Sequence, residues 1–258
     1  MRKLLLVLSI GLFFAACSPN NVQVNEEIGK YFDSAGFKGT FALFDNGTGD
    51  FTIYNLNRYK DSAYSPASTF KVVHSLIALE TGVVSDEKMA IQLDSAVTME
   101  TAFKNSIVPY YQEVARRIGR DTMQFWLDSL QYGNHTIGKS IDSFWLNNTI
   151  KLTPDEQLGI MKRLFFNQLP YQKRTHEIVK RMMLRESNAN YQLSYKTGLT
   201  YRETGNQLGW VIGWIEENKH PYFFVLNLEG PSTLPMVEVR ISLLKKILSN
   251  QGFFEGKR

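Results

Sequence analysis

Ser65-Pro66-Ala67-Ser68-Thr69-Phe70-Lys71 is the stretch on which the interpretation of this chain turns. On a helix, Ser68 and Lys71 share one face, one turn apart. The apolar residues that follow (Val72, Val73, Leu76, Ile77 and Leu79) predict a buried helix, with Gly82 placed to end it. Burial disfavours an ammonium and pushes a lysine toward its neutral, basic form. Such a lysine can activate a nearby serine as a nucleophile. Ser-x-x-Lys alone is weak evidence, since Ser85/Lys88 and Ser242/Lys245 also fit it. Only Ser68/Lys71 has the right companions, among them Lys196-Thr197-Gly198 about half a chain later.

Around this stretch the periodicities predict a layered fold. Strand-like runs at 39–44 and 50–54 flank the turn signal Asp45-Asn46-Gly47. From about 70 to 187 the pattern is helical, with segments at 111–118, 121–130 and 176–185 and a capping box at Thr153-Pro154-Asp155-Glu156. Strands return at 191–198, 209–216 and 222–228 before a last helix over 237–248. Strands at both ends with helices between them predict an α+β fold, one antiparallel sheet flanked by helices with an inserted, mostly helical lobe. The helix carrying Ser68 falls between sheet and lobe, where clefts form.

The N-terminus predicts export. Arg2 and Lys3 precede an apolar run over 4–16 that stops at Cys17, the only cysteine. That run is too short to span a bilayer and has the shape of a secretory signal. Ala15 and Ala16 before Cys17 resemble a lipoprotein processing site, so residues 1–16 are expected to be removed and Cys17 lipidated. Residues 17–38 are expected to form a tether and an N-terminal helix, and 39–258 a single domain. Loss of residues 1–16 leaves 242 of the 258 and lowers the formal charge from +4 to +2, little reason to expect a nucleic-acid partner. With Cys17 on the anchor, neither a disulfide nor a cysteine metal site is expected. His74, His135, His176 and His220 show no zinc-enzyme spacing.

Further along stand Ser106-Ile107-Val108, Tyr132-Gly133-Asn134 and Phe144-Trp145-Leu146. With the Ser68 segment, Lys196-Thr197-Gly198, Gly209-Trp210-x-x-Gly213-Trp214 and Tyr222-Phe223-Phe224, in this order and spacing, the chain resembles the class D serine β-lactamases, the oxacillinase family. The resemblance covers nearly all of the mature chain. It implies a β-lactamase/transpeptidase-like fold and hydrolysis of penicillin-type antibiotics through an acyl-enzyme on Ser68, hence antibiotic resistance. Where class A enzymes carry Ser-Asp-Asn, this chain has Ser106-Ile107-Val108, and an apolar Val108 is expected to dry the pocket around Lys71.

The resemblance also implies roles. Lys71 is expected to be modified by CO₂ to a carbamate (N6-carboxylysine), the general base, with Trp145 donating its indole N–H to it. Ser68 and Leu199 N–H groups are expected to form the oxyanion hole. Ser106 is expected to pass the proton to the leaving nitrogen. Lys196, Thr197 and Arg240 are expected to hold the substrate carboxylate, while Val108, Tyr132, Asn134 and Gly198 line the cleft. No cofactor beyond CO₂ and no metal are expected. The expected partners are β-lactam small molecules, with membrane contact through the lipid anchor only, and the expected location is periplasmic.

Two other readings fit parts of the sequence. Gly133 to Ser140 fits the phosphate-loop pattern G-x-x-x-x-G-K-S, but the preceding segment is helical and the run after Ser140 breaks at Asn147-Asn148. A penicillin-binding transpeptidase or β-lactam sensor domain shares the acylation chemistry and deacylates slowly. A transpeptidase would more often show Ser-x-Asn. A sensor is expected to follow a large membrane segment, which the run over 4–16 is too short to provide.

Overall fold

The computed structural model describes residues 21–258. In chain order the elements are β1 (Val22–Val24), α1 (Gly29–Ala35), β2 (Lys38–Asp45), β3 (Phe51–Tyr54), α2 (Leu56–Asp61), a 3-10 turn (Ala67–Phe70) and α3 (Lys71–Glu80). Then follow β4 (Ala90–Gln92), β5 (Ala96–Thr98), α4 (Met99–Lys104), α5 (Val108–Ile118), α6 (Arg120–Leu130), α7 (Pro154–Phe165) and α8 (Lys173–Met183). The chain closes with β6 (Leu184–Ser187), β7 (Tyr191–Tyr201), β8 (Gln207–Glu217), β9 (His220–Gly230) and α9 (Met236–Asn250).

Seven strands form the main sheet in the order β1-β3-β2-β9-β8-β7-β6. β1 runs parallel to β3, and every other neighbouring pair is antiparallel. The inner strands are apolar on both faces because both faces are covered. Phe41, Leu43, Val211, Ile215, Phe224 and Leu226 pack toward α1 and α9, against Phe32, Leu244 and Ile247. Their neighbours Ala42, Phe44, Trp210, Ile212, Phe223 and Val225 face the helical lobe. That two-sided burial explains why β8 and β9 read as near-continuous apolar runs.

The expected α+β architecture is observed, with three local differences. Residues 90–98 form a small β4–β5 hairpin inside the stretch read as helical. The helix expected over 176–185 ends at Met183, and Arg185 lies in β6, whose residues pair with Ser194, Leu193 and Gln192 of β7. Pairing with the next strand, across a short turn at residues 188–190, overrides local helical periodicity there. β1 is three residues long, too short to carry a periodic signal. The capping box at Thr153 is complete, with Glu156 accepting from the Thr153 N–H at 2.7 Å and donating its own N–H to Thr153 Oγ1 at 3.1 Å. The expected signal and Cys17 lie outside the described residues. Among the described residues, no helix is long and apolar enough to cross a membrane.

Candidate active site

The nucleophile segment is a tied turn. Ala67 adopts a left-handed φ of 50°, strained for a residue with a side chain. The turn closes because the Thr69 N–H and hydroxyl both donate to Pro66 O, at 3.1 and 2.7 Å. Neighbouring elements fasten it. Gln157 of α7 donates to Thr69 Oγ1 at 2.8 Å, the Trp210 indole of β8 to Ser65 O at 2.9 Å, and Ser65 Oγ to Trp145 O at 2.9 Å. β7 comes close where Gly198 lies, since a Cβ there would stand 2.8 Å from Pro66 O. Only glycine permits that approach. Gly82, with φ +72°, follows the end of α3 as expected.

Two serine–lysine pairs face the cleft. Lys71 Nζ donates to Ser68 Oγ at 3.0 Å. Lys71 is fully buried, and desolvation pushes its ammonium down to about 7. Lys196 Nζ donates to Ser106 Oγ at 2.6 Å and to Thr197 O at 2.9 Å. Burial, and then the charge of Lys71, hold Lys196 well below the usual lysine range. β7 lies against the nucleophile turn at Gly198, which brings Lys196 into the neighbourhood of Lys71. Ser106 turns the chain between α4 and α5 with φ 57°, and half-buried Val108 starts α5.

The remaining expected residues divide by what they touch. Trp145 is fully buried against Phe70 (centroids 5.6 Å) and His74 (5.1 Å), and its indole N–H has no partner among the described residues. Tyr132 is buried beside Phe70, with its hydroxyl unpartnered. Asn134 fastens its own loop, donating to Thr149 O at 3.0 Å and accepting the Lys151 N–H at 3.1 Å. Thr197 and Leu199 are half-buried. Backbone groups on a strand alternate sides, so the Leu199 N–H shares the edge on which Thr197 O meets Lys196. Arg240, from α9, is buried and donates Nη1 to Gly198 O at 2.7 Å, with Nε unpartnered.

Sequence reasoning passed over Ser65, Gln157, His74, Tyr111 and the hydrogen bond of Trp210. A polar side chain on the apolar face of a helix was the available signal for His74 and Gln157. The phosphate-loop pattern follows helix α6, where such a loop requires a strand, and the next helix, α7, opens only at Pro154. Among the described residues, no three His, Cys, Asp or Glu side chains are grouped to hold a metal ion.

The family model described as the penicillin-binding protein transpeptidase domain matches residues 25–249. The chain is 34% identical to Beta-lactamase OXA-48 of Klebsiella pneumoniae, over 89% of each chain. It superposes on the class D β-lactamase YbXI from Nostoc with a TM-score of 0.81, at 34% identity over 88% of this chain and 99% of that one. The C-terminal domain of the Bacillus licheniformis BlaR penicillin-receptor gives a TM-score of 0.85 at 27% identity, over 92% of this chain and 99% of that one.

Proposed function

Since the chain belongs to the class D serine β-lactamases, enzymes that hydrolyse β-lactams, we propose that it opens penicillin-type lactams through an acyl-enzyme on Ser68 and so confers antibiotic resistance. The observation that carries this reading is the pair of buried amines, Lys71 on Ser68 and Lys196 on Ser106.

Two features fit CO₂ capture at Lys71. Its amine is neutral in a sizeable fraction near pH 7, and the buried Trp145 N–H lacks an acceptor. When bound, CO₂ supplies a carbamate base for both acylation and deacylation. Ser68 Oγ loses its proton on the Lys71 side and attacks the lactam carbonyl. The Ser68 and Leu199 N–H groups receive the developing oxyanion, an effect worth about 3–4 kcal/mol per donor in other enzymes. Ser106, oriented by Lys196, returns a proton to the leaving nitrogen. Lys196, Thr197 and Arg240 meet the substrate carboxylate, while Tyr132 and Asn134 shape the rim.

The likeness to the BlaR domain favours one alternative, a receptor that acylates and then holds the acyl group. Burst and steady-state hydrolysis of a penicillin, with bicarbonate and a Ser68→Ala control, separates the two. Sustained turnover lost in the variant supports the hydrolase. A single stoichiometric burst supports the receptor. We also propose export to the periplasm and anchoring through a lipid on Cys17, supported by the basic, apolar and small residues before it. Labelled palmitate should enter the protein and be lost in Cys17→Ala; equal labelling of the two would overturn the anchor.

A further inference from the structure

One turn beyond Lys71, α3 buries an imidazole that the chemistry above leaves unused. His74 is fully buried, and neither ring nitrogen has a hydrogen-bond partner among the described residues. A neutral imidazole carries one N–H donor and one acceptor nitrogen, and leaving both unsatisfied in a dry interior is costly. The ring lies 5.1 Å from Tyr111, 5.1 Å from Trp145 and 5.4 Å from Phe70, centroid to centroid. Tyr111 also receives Lys71, whose Nζ stands 5.2 Å from the ring centre. The Tyr111 hydroxyl pairs with Ser75 Oγ at 2.7 Å and makes no hydrogen bond to His74.

Three polar atoms unpartnered among the described residues, both nitrogens of His74 and Nε1 of Trp145, thus belong to one group of rings, and Lys71 joins it over Tyr111. Burial, then the charge of the unmodified Lys71, push the imidazole down to about 3, so His74 is neutral beside the free amine and carries one N–H. A carboxylated amine has two oxygens. One indole N–H serves only one of them.

We infer that His74 is a positioning residue that, together with Trp145, gives an N–H to the oxygens of CO₂ carried on Lys71 and so sets how tightly CO₂ is held. This rests on the reading of Lys71 given above. The neutral amine lone pair bonds to the carbon of CO₂ and one proton leaves to water. The product is an anion in a pocket that otherwise lacks acceptors for these donors. His74 is fully buried, so its part in the reaction runs through Lys71.

The test is ¹³C NMR of the full chain titrated with ¹³C-bicarbonate, read as the bicarbonate needed for half of the carbamate signal. His74→Leu removes the donor, His74→Phe keeps a ring without it, and His74→Asn keeps an N–H. The Leu and Phe variants should need about 10- to 100-fold more bicarbonate, the range of a charge-assisted hydrogen bond. His74→Asn should recover most of the loss. Where Leu fails to fold, Phe carries the comparison. A signal unmoved in both donor-less variants overturns the inference alone, as does an equal loss in His74→Asn. No signal in the unaltered protein overturns the Lys71 reading together with it.

Discussion

Lys196 Nζ and Ser106 Oγ meet at 2.6 Å although 90 residues separate them in sequence. Sheet and lobe each supply one partner, so this contact exists only when β7 and the α4–α5 turn are packed together. A hydroxyl held by a buried amine is well placed to relay a proton. Ser106→Ala should lower kcat by on the order of 10²–10⁴. Ser106→Gly suits the φ of 57° better and should lose the same activity while melting no lower than Ser106→Ala. Steady-state kinetics beside thermal melts checks both; a Ser106→Gly enzyme of full activity would exclude the relay.

Lys71 gives the protein a pH signature. Its folded-state value is lowered from 10.5 to about 7, so between those values the unfolded chain binds the extra proton and stability rises with pH. Below pH 7 the full cost of burying the ammonium is present, at most about 5 kcal/mol at 1.36 kcal/mol per unit. In bicarbonate-free buffer, Lys71→Met should therefore stabilise the fold most below pH 7. The gain should shrink as pH climbs toward 10.5. Denaturant melts across that range decide it, and a pH-independent difference would contradict the lowered value.

Trp145→Phe keeps an aromatic ring against Phe70 and His74 and deletes the unpartnered N–H. The fold should survive, while the second half of the reaction slows by on the order of 10²-fold, the effect of one lost donor. Mass spectrometry during turnover should find acyl-enzyme accumulating in the variant.

Gly198→Ala forces a methyl group to 2.8 Å from Pro66 O, a backbone atom that cannot swing aside. Loss of about 1–3 kcal/mol is expected from such overpacking. Gly205→Ala, in a turn where nothing stands within 4 Å of the added carbon, should leave the Ser68 turn in place. Its φ of +83° still adds local strain. Comparing penicillin acylation rates in the two variants separates displacement of the nucleophile from simple loss of stability.

Legibility in the sequence followed range. The pairing of Ser68 with Lys71 was readable because a step of three residues fixes their separation, even though Ser68 lies in the 3-10 turn and Lys71 opens α3. The Thr153 capping box was readable for the same reason. Letters alone did not reveal that Asn134 spends its amide on Thr149 and Lys151, since that needs the return path of the loop. Arg185 reads as the end of a helix, whereas β6 folds back on β7 across residues 188–190, and four residues are too few for a strand period to show. His74 looked like one of four scattered histidines. Only burial, and the rings around it, set it apart.

The turn bearing Ser68 hangs from three places at once: Trp210 in the sheet, Gln157 in α7 and the loop of Trp145. Neither half of the molecule can loosen without pulling on the serine, and nothing can be bonded to the serine without being felt by both halves. The protein is thus a reporter on its own chemical state: a stalled adduct should appear as a shift in the melting of the whole domain, readable with an unlabelled drug and no chromogenic substrate.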